Sequence, residues 1–135
     1  MIFKLLLAAF LMGHALIHAG FISPRPPPSA GAPPWPFSLT ASWALGALGV
    51  NGEVIRLIGI ALVAVTIGGL ALAALSVVGF LPSSLWPSAA ALGAIASLSL
   101  LALFFHPWLL LGVLIDVLLL WAVLVARWVP ESGAI

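Results

Sequence analysis

Four runs of this chain, at approximately residues 2–22, 54–78, 88–105 and 108–128, are apolar almost throughout. The hydrocarbon core of a bilayer is about 30 Å thick and takes roughly 20 apolar residues of helix to cross, so each run has about the length of one span. Lipid offers the backbone no hydrogen-bond partner, so a segment that enters it must pair its own N–H and C=O groups, as a helix does. The expected fold is therefore all-α: a membrane-spanning four-helix bundle, with residues 1–135 forming a single transmembrane domain. Composition closes the soluble alternative. Hydrophobic residues make up 64% of the chain and charged residues 5%, whereas a soluble domain carries about 25% charged residues.

The net charge of +1 leaves no basic footprint for nucleic acid. The lipid bilayer is the expected partner. The absence of cysteine excludes disulfides, thiolate metal sites and thiol nucleophiles together. The first run has Lys4 near its start and could open as a signal peptide, but cleavage before Phe21 would put His18 where a small residue is required, so a retained helix is expected. Residues 23–52 connect the first two spans. Pro24, Pro26, Pro27, Pro28, Pro33, Pro34 and Pro36 forbid helix in the first half of that connection and favour an extended course outside the hydrocarbon. Its second half, residues 37–50, is apolar again, yet as a helix it would rise only roughly 21 Å, too short to cross. It is expected to be a short interfacial or re-entrant piece capped by Ser38 or Thr40 and anchored by Trp43, or else an apolar loop folded on the mouth of the bundle.

An even number of spans places both termini on one side. Lys4 and Arg127 balance Arg25 and Arg56, so the positive-inside rule discriminates weakly. The termini are assigned to the cytoplasm of a prokaryotic plasma membrane, because the long proline-rich connection is easier to place outside. Small residues recur four apart at Ala64 and Gly68, at Gly69 and Ala73, and at Ala89, Gly93 and Ser97. Such stripes let helices approach closely, within the bundle, between copies of the chain or against other membrane subunits.

Polar chemistry is confined to few positions. His14 and His18 are four residues apart and share one face of the first helix. That face must look into protein, because imidazole finds no partner in lipid. The first span runs toward the proline-rich connection and the fourth runs away from the same side. His14 lies roughly 4 Å and Asp116 roughly 3 Å from the middle of its own span, at about 1.5 Å per residue, both displaced toward that side. The two can meet, with His18 one turn nearer the surface. Glu53 and Arg56, three apart at the start of the second span, suit an interfacial ion pair, and Arg56 is alternatively an anion-binding group at the pocket mouth. The candidate ligand or proton pocket is thus His14, His18, Asp116 and Arg56. His14, His18 and Asp116 are also weak candidates for a zinc or ferrous iron site, lacking the glutamate of the familiar two-histidine motif. Haem held by His14 or His18 is a further alternative, although His106 beside Pro107 is poorly placed for a second axial bond. No cofactor is predicted. Thr66, Ser97 and Ser99 are read as bonded back to their own helices rather than as nucleophiles, so no catalytic set is legible.

Gly-His-Ala-Leu-Ile-His-Ala-Gly-Phe at 13–21, Val-Ile-Arg-Leu-Ile-Gly at 54–59 and Gly-Val-Leu-Ile-Asp-Val-Leu-Leu-Leu at 112–120 resemble a family of small four-helix bacterial and archaeal membrane proteins. The matching residues are His14, His18, Gly20, Phe21, Arg56, Gly59, Gly112 and Asp116. The resemblance implies four helices and carries no established activity; the proline-rich stretch departs from the tighter connection that the family would lead one to expect. Three classes of function follow from the residues. The first is a non-catalytic accessory or ligand-binding subunit of a membrane assembly. The second is a small proton-linked carrier using His14 and Asp116, and the third a histidine-ligated metal or haem oxidoreductase.

Overall fold

The computed structural model describes residues 1–27, 29–31 and 33–130; Pro28 of the proline-rich connection lies outside the described residues. Helix α1 covers Ile2–Ile17 and tightens into a 3-10 turn at His18–Phe21. After the connection come the short α2 at Trp43–Ala47, then α3 at Gly52–Val78 and α4 at Leu85–Leu103. A 3-10 turn at Pro107–Leu109 leads into α5 at Leu110–Leu120, which widens into a π turn at Trp121–Val125. No strand occurs among the described residues. Counted with their flanking turns, α1, α3, α4 and α5 are long and apolar enough to cross a membrane, as a multi-pass membrane protein requires.

Local chemistry sets the boundaries. The Asn51 side chain accepts the Val54 N–H at 2.9 Å and so caps α3, and Gly79, at φ 87°, takes the left-handed conformation that ends it. The third span begins three residues before the expected 88, with Pro87 inside the helix. Proline is tolerated there because the first N–H groups of a helix have no intrahelical partner to lose. The same span ends at Leu103 rather than 105, before the turn in which His106 Nδ1 accepts the Trp108 N–H at 3.2 Å. The fourth ends at Val125 rather than 128: Arg127, at φ 49°, turns the chain so that the Trp128 carbonyl accepts from Trp86 Nε1 at 3.0 Å.

The connection folds onto one end of the bundle. Leu39 is buried over Gly59, where a Cβ would meet its Cδ2 at 2.6 Å, and Phe37 lies over Gly20, where a Cβ would come within 3.0 Å of the ring. The cap of α2 is neither Ser38 nor Thr40, which bond to each other at 2.8 Å. Ser42 caps it, being the extended residue directly before the helix: its Oγ accepts from Leu45 N at 3.3 Å and donates to the Leu103 carbonyl at 2.7 Å. Trp43 keeps its ring exposed while its Nε1 donates to the Ala102 carbonyl at 2.7 Å.

Packing runs α1 on α3, α3 on α4 and α4 on α5. The α3–α4 contact is backbone on backbone: a Cβ on Gly69 would lie 2.7 Å from Gly93 Cα. Two of the three small-residue stripes are thus used inside the bundle, whereas Ala64 and Gly68 face outward. The apolar core has two parts. One, near the termini, joins Leu11 and Ala15 of α1 to Leu70, Trp86 and Val123. The other, near the connection, gathers Phe21, Leu39, Val63, Leu100, Phe104 and Leu109. Along the first span and α4, the polar residues His18 and Ser97 fall between the two.

Candidate functional site

Three elements deliver the polar cluster. His14 comes from the last turn of α1, and His18 opens the 3-10 turn that continues it. Ser97 lies on the face of α4 that carries Gly93, and Asp116 sits mid-way along α5. All four are buried, Asp116 and Ser97 completely. His14 Nε2 is 2.8 Å from Asp116 Oδ1. The Ser97 hydroxyl bonds both to Asp116 Oδ2 and to His18 Nε2, the latter at 2.7 Å. His18 Nδ1–H donates to the His14 carbonyl at 2.9 Å, which closes the ring of contacts on α1. The two imidazoles stand edge to face, with centroids 5.0 Å apart. A buried polar group costs free energy unless it is paired, and this cluster pairs its groups with one another across three helices.

A cavity of about 130 Å³ adjoins the cluster between α1 and α5. Its wall combines His14 and His18 with Phe21, Phe37, Leu101, Leu109, Gly112 and Ile115, and its rim is formed by Ile17, Trp108 and Leu111, which are exposed on the outside of the bundle. Gly112 gives the cavity its depth. A methyl added there would stand 3.1 Å from Leu101 Cδ1 and 3.9 Å from His14 Cε1.

Three of the four residues expected from the sequence meet here. Arg56 does not. It is exposed and lines a separate crevice with Arg25, Ser23, Ser38 and Thr40, on the connection side of the bundle. Nor does it pair with Glu53: among the described residues the single basic–acidic side-chain contact within 4.0 Å is His14 with Asp116. Both side chains are exposed, where ordering two long chains offsets most of what a solvated pair gains. Ser97 is the member that sequence reasoning missed. Ser99 and Ser76 do bond back, to the Ile95 and Leu72 carbonyls at 2.8 and 2.9 Å, but Ser97 reaches across to α5 and α1 instead. Thr66 Oγ1, expected to bond back, is buried without a partner among the described residues.

His14, His18 and Asp116 can each bring one ligand atom within 4.8 Å of the others. As arranged, His14 Nε2, His18 Nε2 and both Asp116 oxygens are engaged in hydrogen bonds with one another or with Ser97, so a metal bound there would have to displace those bonds. His106 is occupied with capping its own turn.

Comparison with protein-family models, curated proteins and solved structures gives no match. Gly20 lies under Phe37, Gly59 under Leu39, and Gly112 in the cavity wall.

Proposed function

We propose that this chain is a non-catalytic, ligand-binding membrane protein, an accessory subunit that holds a small lipid-soluble molecule in the cavity between α1 and α5. One observation supports the reading: a cavity of about 130 Å³ that is apolar except for two imidazoles, with large apolar rim residues exposed on the outside of the bundle. Small-molecule sites share this character, an apolar enclosure with a few placed polar groups. The protein is taken to reside in a prokaryotic plasma membrane with its termini in the cytoplasm, and the outward-facing Ala64 and Gly68 are the surface offered to a second subunit or a second copy.

Solvent extraction of the protein purified from its native membrane, followed by mass spectrometry, tests the reading. A small apolar compound should be recovered in near-stoichiometric amount from the wild-type chain and lost from Gly112→Leu, whose side chain fills the cavity. Equal recovery from both would refute it. A proton-linked carrier is the second reading, favoured by the unbroken chain of hydrogen bonds from Asp116 through Ser97 to His18. Proteoliposomes loaded with a pH-sensitive dye would separate the two, since a carrier acidifies or alkalinises the lumen as its ligand crosses and a binding subunit does not.

A further inference from the structure

The contacts of the cluster dictate where its hydrogens lie. The His14 carbonyl can only accept, so His18 Nδ1 carries a hydrogen. Three further contacts each need one more: His14 Nε2 with Asp116 Oδ1, Asp116 Oδ2 with Ser97 Oγ, and Ser97 Oγ with His18 Nε2. An ionised Asp116 among two neutral histidines supplies one hydrogen too few, because Ser97 then has a single hydrogen for two acceptors. It would also leave an unneutralised charge inside the membrane.

With the cluster neutral overall, two placements satisfy every contact. In the first, Asp116 carries a hydrogen on Oδ2 and donates to Ser97, and Ser97 donates to His18 Nε2. In the second, both hydrogens have moved one group along: the Asp116 O–H and the Ser97 O–H break as new O–H and N–H bonds form at Ser97 and His18, with no change in net charge. Both placements put the hydrogen of His14 on Nε2, facing Asp116. His14 Nδ1 is then a bare lone pair. It belongs to a side chain only 4% exposed that lines the cavity, and it has no hydrogen-bond partner among the described residues.

Resting on the binding reading above, we propose that the cavity receives one hydroxylated aromatic ring, the phenol-like headgroup of a lipid-soluble molecule, whose O–H donates to His14 Nδ1. Size supports a single ring: a dry apolar cavity of about 150 Å³ takes up benzene, and this one measures about 130 Å³. Phe21, Phe37 and Trp108 supply aromatic edges and faces to a bound ring. A ring bearing only an acceptor, such as a methyl ether, would set two lone pairs against each other and leave Nδ1 unpaired.

The test uses the full chain in detergent with phenol and anisole as probes, which differ in the donor. Saturation transfer from protein to probe reports occupancy, and nitrogen-15 spectra of the labelled histidines report the bond. The free protein should show one unprotonated imidazole nitrogen from His14; phenol should shift it and anisole should not. Phenol should also bind about tenfold more tightly than anisole at equal concentration in the micelle, the factor given by one ordinary hydrogen bond. Gly112→Leu, which substitutes none of the four bonded side chains, should abolish the response. If neither probe shows saturation transfer, the binding reading itself fails. If both probes bind equally and the nitrogen resonance stays put, or if that nitrogen is protonated in the free protein, the binding reading stands and the hydroxyl assignment is overturned.

Discussion

Replacing Asp116 by asparagine should cost almost nothing, whereas leucine at the same position should be plainly destabilising. The difference comes from hydrogen placement. In the arrangement with a hydrogen on Asp116 Oδ2, the group accepts from His14 Nε2 and donates to Ser97. That arrangement is favoured over its charge-separated counterpart because an apolar interior penalises charge. Asparagine repeats it: Oδ1 accepts from His14, and Nδ2–H donates to Ser97. A loss below about 1 kcal/mol is expected, that of one imperfect hydrogen bond. Leucine strands both the His14 N–H and the Ser97 oxygen at a site that is 0% exposed. Two unpaired groups would cost about 2 to 6 kcal/mol in a soluble protein. In membranes, single bonds measured by double-mutant cycles average about 0.6 and reach about 1.7 kcal/mol, because the unfolded chain finds other partners. Leucine should therefore cost about 1 to 3 kcal/mol. Denaturant titration in detergent of Asp116→Asn, Asp116→Leu, His14→Leu and the double leucine variant reads these values, and the two leucine changes should be non-additive by about 1 kcal/mol. Asparagine as costly as leucine would refute the hydrogen placement. Strict additivity would refute the His14–Asp116 bond.

Ser97→Ala should cost about 1 to 3 kcal/mol in the same titration, since it unpairs Asp116 Oδ2 and His18 Nε2 together, while Ser99→Ala, which removes only a bond back to its own helix, should stay within about 0.5 kcal/mol. Gly93→Ala should destabilise by about 1 to 3 kcal/mol, measured by thermal unfolding, because the new methyl would stand 2.8 Å from the Leu70 backbone nitrogen, which has little room to move. Cysteines introduced at Ser29 and at Ser83 should react with an impermeant reagent from opposite faces of sealed vesicles; labelling from the same face would rule out four crossings.

The number and rough extent of the spans follow from apolar run length, because nothing in the chain competes with that signal. The His14–Asp116 contact was legible as well. Two buried polar groups, one late in the first span and the other early in the fourth, sit at the same depth once the helices alternate in direction. Ser97 was not, since a helical serine always has its own i−4 carbonyl within reach, as Ser76 and Ser99 demonstrate. The one clue was position: Ser97 continues the Ala89–Gly93 face that packs against α3, so its hydroxyl could not look out to lipid. Arg56 was drawn to the site by depth alone. Depth does not report on which side of a helix a residue sits, and the Arg56 side chain leaves α3 on the side of the crevice it shares with Arg25.

The backbone contact of Gly69 with Gly93 makes α3 and α4 a fixed spine on which α1 and α5 lean from either flank. At the terminal end the two flanking helices are held together by Leu11 and Val123 in a shared apolar cluster and by Phe3 against Trp128, with ring centroids 5.9 Å apart. At the other end the cavity keeps them apart. The seam between the two flanking helices is therefore closed by apolar packing at the terminal end and left open by the cavity at the other, and the His14–Asp116 bond between them is the polar tie that spans it.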